Sequence, residues 1–328
     1  MTRILLRRAD GSVDASLEVK EIPSLLADPS CLFWVDFSDE SDAECERVMR
    51  DVFRFHPLAI DDALQESHVP KVDDWDSYLY IVMHAVSFDP EAAEMLTTRE
   101  LDVFVGDRYL VTHREQRIEA LDRVWDACRR EERPMGKGSV RLLYHLVDEV
   151  VTAHLPAVDA LEEEMEFVEE AILSSPGPEA LPQVLRIRRA LMKLRRIVGP
   201  QREAMARLAR DDLALIAADQ RPYFRDVYDH LVRVHDIAEG LRDMASGALE
   251  TYLSVINNRM NEVMKTFTLI TTLFMPISFL TGFFGMNFFS PVDTPPAWTG
   301  RIAFIALCCA IVLVPSLMFL WLKRRRWI

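Results

Sequence analysis

The hydrophobic pattern changes character twice along the chain. Up to about residue 115, apolar positions come in short runs. Cys31–Phe37, Tyr78–Phe88, Glu100–Val105 and Tyr109–His113 predict strands, and Gly106-Asp107 between the last two predicts a hairpin. Asp39–Phe53, behind a Ser/Asp start, and Pro57–Glu66 predict helices. From Ser139 the period becomes helical. Ser139–Leu173 predicts one helix, Ser174-Ser175-Pro176-Gly177-Pro178 breaks it, and Glu179–Arg210 predicts the next. Pro222 opens a third, and only Gly240, Gly247 and Pro276 interrupt the pattern from Tyr223 to Phe284. A helix of that extent would be roughly 90 Å long.

The pattern changes again near the end. Thr266–Phe284 and Ile302–Leu322 carry no charge, and each is long enough to cross a bilayer, which takes about 20 residues. Two such runs in succession disfavour a soluble core helix. The short connection Gly285–Arg301 means that the chain crosses and returns. Lys323-Arg324-Arg325-Arg326 follows the second run, so the C-terminus is expected in the cytoplasm and the N-terminal body with it. Trp298, Trp321 and Trp327 lie near the span ends, where amphipathic rings settle. The N-terminus lacks the apolar core of a signal peptide. The expected protein is a multi-pass protein of the cell inner (plasma) membrane.

The fold class expected is α+β: a mixed sheet flanked by helices, then long helices and two C-terminal transmembrane helices. The expected division is 1–138 for the α/β domain, 139–221 for a hairpin of helices, 222–284 for the long helix ending as the first span, 285–301 for the outer loop, and 302–328 for the second span and basic tail.

Composition sharpens this division. The chain carries −14 overall, yet residues 261–328 hold six Lys or Arg against Glu262 and Asp293, a net +4. Residues 1–260 therefore hold −18. Such an acidic body disfavours nucleic acid and favours cations. In the hairpin, Ser139–Leu173 is rich in Glu and Glu179–Arg210 in Arg, which suggests antiparallel helices with complementary faces. The five cysteines have no CxxC spacing, so neither a disulfide framework nor a thiolate metal site is expected. No P-loop, HExxH or nucleophile elbow points to an enzyme.

One face of the long helix carries an unusual register. Glu250, Ser254, Asn257, Asn261, Met264, Thr268, Thr271, Met275, Ser278, Gly282 and Gly285 follow at steps of three or four, with Phe267 beside them. Small and polar residues on one face of a membrane helix serve close packing or line an aqueous path, and the stripe alone leaves both open.

Asn261-Glu262-Val263-Met264-Lys265, Phe274-Met275-Pro276 and Gly285-Met286-Asn287-Phe288, in this order before a second span, resemble the CorA family of magnesium channels. Tyr223-Phe224-Arg225-Asp226-Val227-Tyr228-Asp229-His230 and His56-Pro57-Leu58 with Asp61-Asp62 extend the resemblance over most of the chain. The resemblance implies a funnel-shaped homopentamer conducting hydrated Mg²⁺, with Co²⁺ and Ni²⁺ as further cargo. It implies that Gly285, Met286 and Asn287 form a selectivity filter. Neutral Asn287 oxygens suit an ion that dehydrates reluctantly. It implies a pore lined by Glu250, Asn257, Asn261, Met264, Phe267, Thr271, Met275 and Ser278, constricted at Met264, Phe267 and Met275. It also implies regulatory Mg²⁺ between neighbouring cytoplasmic domains. Asp62 and Asp226 match the first such site, and Asp61 and Asp148 match positions linked to a second.

The loop after Asn287 departs from the family. Magnesium-transporting members often carry an acidic stretch there, whereas Phe288–Pro296 has only Asp293, which implies weaker capture of cations by charge. Two other functions compete: a proton-coupled Zn²⁺ transporter of the related ZntB type, and a non-conducting, membrane-anchored coiled-coil scaffold. The scaffold would have a Leu-rich stripe.

Overall fold

The computed structural model describes the chain except residues 1, 39–40, 66–68, 131–133, 175–176, 212, 287–300 and 326–328. Asn287, Asp293, Trp298 and Trp327 therefore lie outside the described residues. Contacts divide the chain into two units, Met1–Thr251 and Tyr252–Ile328.

The first unit is built on a mixed sheet, the fold class expected. Its strands are β1 (Arg3–Arg7), β2 (Val13–Asp14), β3 (Leu32–Ser38), β4 (Lys71–Asp74), β5 (Tyr78–Phe88), β6 (Leu96–Gly106) and β7 (Tyr109–Arg114), in the order β2-β1-β3-β7-β6-β5-β4. Only β3 and β7 pair in parallel. The four runs read as strands are β3, β5, β6 and β7. Nearly every residue of β5 from Tyr78 to Val86 is buried, so both sheet faces are covered. Short helices α1 (Ile22–Ala27), α2 (Asp42–Arg47) and α3 (Pro57–Leu64) cover one face, packing Ile22, Cys45 and Ile60 against Phe33, Val35, Tyr80 and Phe104. On the other face α4 (Glu119–Arg130) sets Trp125 against Trp34, their rings 4.9 Å apart. The helix expected over Asp39–Phe53 is α2, continued as a wider turn over Val48–Val52.

Gly106 is required where β6 turns into β7. A Cβ there would lie 2.4 Å from the Tyr109 ring. Strands β1 and β4 escape the sequence pattern because they are short and flanked or filled by charge. Asp36, fully buried on β3, draws β1 in by accepting from Arg3 Nε at 2.8 Å, and it also accepts from Arg114 and Thr112. Lys71, Asp73 and Asp74 keep the β4 edge charged, which blunts edge-to-edge pairing.

The helix expected over Ser139–Leu173 is two helices, α5 (Ser139–Thr152) and α6 (His154–Ser174). Pro156 explains the break: it has no N–H to bond the Thr152 carbonyl, and its ring clashes with that group. The next helix, α7 (Ala180–Arg210), packs on α6. Both bury apolar residues, including Leu161, Met165 and Val168 on α6 and Ile187, Leu191 and Leu194 on α7. Charge does not join them. Among the described residues no α6 carboxylate makes an ion pair, while Lys193 of α7 pairs with Glu94, and Arg186 donates to the Pro90 and Ala92 carbonyls.

The last two helices are α8 (Arg221–Gly285) and α9 (Arg301–Arg324). The apolar part of α8 and nearly all of α9 have the length and hydropathy to cross a membrane. In the second unit most of their apolar side chains are exposed, Phe279 at 69% and Ile302 at 86%, as in helices whose solvent is lipid.

His154, at the start of α6, is fully buried, with Nδ1 2.8 Å from the Val150 carbonyl. Burial pushes its pKa down to about 4 from an ordinary value near 6.5. The unfolded chain therefore takes up a proton that the folded one refuses between those limits. Stability from this group is complete above pH 6.5 and is lost as pH falls toward 4. Denaturant unfolding followed by tryptophan fluorescence should show up to about 3 kcal/mol lost over that window, and His154→Leu should remove this component.

Candidate functional site

The site begins with how α8 attaches to the first unit. Phe224, Val227, Leu231, Val234, Ala238, Leu241, Ala245 and Ala248 are buried. Their spacing of three and four is a heptad seam, so one stripe of α8 is docked and the rest is free to carry polar groups. The Phe224 and Tyr223 rings meet Tyr144 of α5 at 6.4 and 5.1 Å, and Arg195 of α7 pairs with Glu239 at 3.1 Å.

This docking brings Asp226 and His230, one turn apart on α8, against Asp148 of α5. One ligand atom from each of the three lies within 4.8 Å of the others. His230 Nδ1 stands 3.9 Å from Asp148 Oδ1. Asp148 and His230 are partly buried and Asp226 is exposed, so the cluster can be reached from solvent. Burial pushes the Asp148 carboxyl above its ordinary range; His230 opposes that shift, and Asp226 and Glu149 add to it. A half-buried carboxylate whose ionisation a second carboxylate opposes, with an imidazole beside them, fits a divalent cation, which would relieve the repulsion.

The resemblance implies sites between neighbouring copies, Asp62 with Asp226 and Asp61 with Asp148; the contacts within one chain are these. Asp148 and Asp226 come together. Asp61 and Asp62 are not part of the cluster. Asp62, on α3, forms an ion pair with Lys71, which also holds Asp73 at 2.8 Å, and Asp61 accepts from the Gln65 amide at 2.8 Å. His230 escaped the sequence reading as a ligand, although its position four residues after Asp226 was the available signal.

Further along α8, Glu250, Asn257, Asn261, Met264, Phe267, Thr271, Met275 and Ser278 are all exposed, as are Gly285 and Met286. The hydroxyls of Thr268 and Thr271 donate to the Met264 and Phe267 carbonyls at 2.8 and 2.9 Å. Their protons are thus spent within the helix, and each oxygen keeps accepting capacity outward, which suits water around a cation. Asn287, the central residue of the expected filter, lies outside the described residues.

An acidic extramembrane unit, an apolar two-helix unit and a polar stripe on the helix that enters the second unit define a two-span membrane transporter rather than an enzyme. Comparison with known proteins agrees. Residues 30–324 match the family described as CorA-like Mg2+ transporter protein, and the chain belongs to that family. The cobalt/magnesium transport protein CorA of Thermotoga maritima is 29% identical over 307 residues, covering 92% of this chain and 85% of that one. The zinc transport protein ZntB of Yersinia enterocolitica is 26% identical over 281 residues, covering 83% and 81%. The complete structure of the CorA magnesium transporter from Methanocaldococcus jannaschii shares the fold with a TM-score of 0.84 at 21% identity, over 99% of this chain and 98% of that one. The protein is a membrane transporter of divalent metal cations.

Proposed function

We propose that the chain conducts hydrated Mg²⁺, with Co²⁺ and Ni²⁺ as further cargo, into the cytoplasm of the cell as a homopentamer in the plasma membrane, both termini inside. The observation that carries this is that one helix, α8, bears both Asp226 and His230, which meet Asp148 of α5 in a cluster able to hold a cation, and the polar stripe that ends at Gly285. Five copies around an axis would turn the stripe into a lining. A straight helix drifts by about 20° per heptad, roughly 100° over the five heptads from Glu250 to Gly285, so the ring would have to supercoil left-handedly to keep the stripe inward.

Gly285, Met286 and Asn287 then form the outer mouth. Asn287 carbonyl oxygens accept from the water shell without the binding strength of carboxylates, so the ion enters and leaves. Met264, Phe267 and Met275 form a constriction that closes by dewetting. On the cytoplasmic side Asp226, Asp148, Asp62 and Asp61 hold Mg²⁺, which screens acidic surfaces that otherwise repel and favours the closed state. Lys71 already neutralises part of Asp62, so Mg²⁺ competes with an ammonium there.

A second reading, proton-coupled Zn²⁺ transport, draws on the likeness to ZntB. Liposomes with the reconstituted protein separate the two: Mg²⁺ flux should be independent of a pH gradient, and Zn²⁺ flux that tracks the gradient would favour the second reading. Asn287→Ala should abolish Mg²⁺ uptake while the oligomer persists in gel filtration; undiminished uptake would remove Asn287 from the filter. Asp226→Lys places an ammonium against Asp148 and should shift Mg²⁺ protection from proteolysis to at least about tenfold higher concentration. Protection at the same concentration would remove Asp226 from the regulatory set.

A further inference from the structure

The α6–α7 hairpin carries two charged faces that its own chain leaves largely unpaired. On α7, Arg188 and Arg189 lie one turn before Met192, and Arg195 and Arg196 lie one turn after it, so they share one exposed face. Met192, at its centre, is 52% exposed. Arg195 pairs with Glu239 of α8, and Arg189 donates to the Leu185 carbonyl of its own helix. Arg188 and Arg196 make no ion pair among the described residues. On α6, Glu162 and Glu163 before Glu166, and Glu169 and Glu170 after it, repeat the same spacing. All but the half-buried Glu169 are exposed, and none makes an ion pair among the described residues. Like charges at these spacings repel and destabilise the helix that bears them.

The two faces do not answer each other within one chain. The helices pack through Leu161, Met165 and Val168 of α6 and Ile187, Leu191 and Leu194 of α7, which turns both charged faces away from the seam. Residues 162–170 and 188–196 each extend about 12 Å along a helix. Two helical faces of equal length, equal spacing and opposite sign are complementary between copies. A single exposed ion pair contributes little, but a network that includes bidentate Arg–carboxylate pairs contributes more. Arg and Met are also enriched where proteins meet.

We propose that the arginine face of α7 docks against the glutamate face of α6 in a second copy of this chain. This rests on the reading above that the chain is a homo-oligomer, and it adds which surfaces join the neighbours. The contact is head to tail. Each copy offers α7 to one neighbour and α6 to the other, so the contact repeats from copy to copy and closes where the rotation brings the last copy to the first. It relieves the like-charge repulsion on both helices at once, whereas a free anion on α7 would relieve it on one.

The test uses the full chain in detergent, with the exposed Cys308 and Cys309 replaced by Ser. Two differently tagged copies are co-expressed, one with Glu166→Cys and the other with Met192→Cys. Mild oxidation should join the two tags in one disulfide-linked band, and either variant expressed alone should form none. Charge reversal gives a second readout. Arg188→Glu with Arg196→Glu, or Glu162→Arg with Glu166→Arg, should raise the protein concentration at half-dissociation, read by light scattering, by about tenfold or more. All four substitutions together should return it to within about threefold of wild type, which also shows that the variants fold. A quadruple variant no better than either pair would overturn the proposal. An oligomer that ignores both reversals and forms no disulfide between tags sinks the contact and leaves the homo-oligomer reading standing. A chain that is monomeric before any substitution sinks that reading, and the contact with it.

Discussion

The rest of the molecule depends on α8 having to satisfy two solvents along one run of backbone hydrogen bonds. A helix can do so because its backbone is paired internally wherever it lies, leaving the side chains alone to match the surroundings. In the first turns they do it with a heptad seam from Phe224 to Ala248, buried against the first unit. From Tyr252 onward most apolar side chains are exposed or half-exposed, and the uncharged run beginning at Thr266 accepts lipid. Asp226 and Gly285 thus lie on one run of helix, Arg221–Gly285.

The electrostatics of the first unit suit cation binding. Its acids are handled in three ways. Asp36 is fully buried and satisfied by Arg3, Arg114 and Thr112, so it is structural. Asp62 is partly neutralised by Lys71. Asp148 has no arginine or lysine partner among the described residues, only a carboxylate and an imidazole, and burial already pushes its carboxyl upward. That is the environment in which a divalent cation stabilises most, because it replaces repulsion by attraction without displacing an existing ion pair. The seven carboxylates of α6 make no ion pair among the described residues; they lie on a helix that buries apolar residues, and within one chain they act as a solvated surface.

Residue patterns were sufficient wherever structure follows from local periodicity. The central strands could be read from compact apolar runs, the spans from uncharged length, and α8 from the absence of any breaker that a helix cannot absorb. The stripe from Glu250 to Gly285 could be read as a face because spacing alone fixes it. Features that depend on a partner distant in sequence could not be read. Strand β1 exists because Asp36 and β3 receive it; β4 exists because β5 offers an edge; and the split between α5 and α6 follows from the steric demand of Pro156 on Thr152.

The same division holds for the site. Sequence by itself determined the class of protein and the two long apolar runs, because hydropathy and motif order are properties of the chain, while Asp148 and Asp226 were singled out only by what the family resemblance implies. Only the tertiary structure decided which acids meet. Within the chain it set Asp148 and His230 beside Asp226 and Lys71 beside Asp62, because convergence of ligand atoms within 4.8 Å depends on how α5 packs against α8.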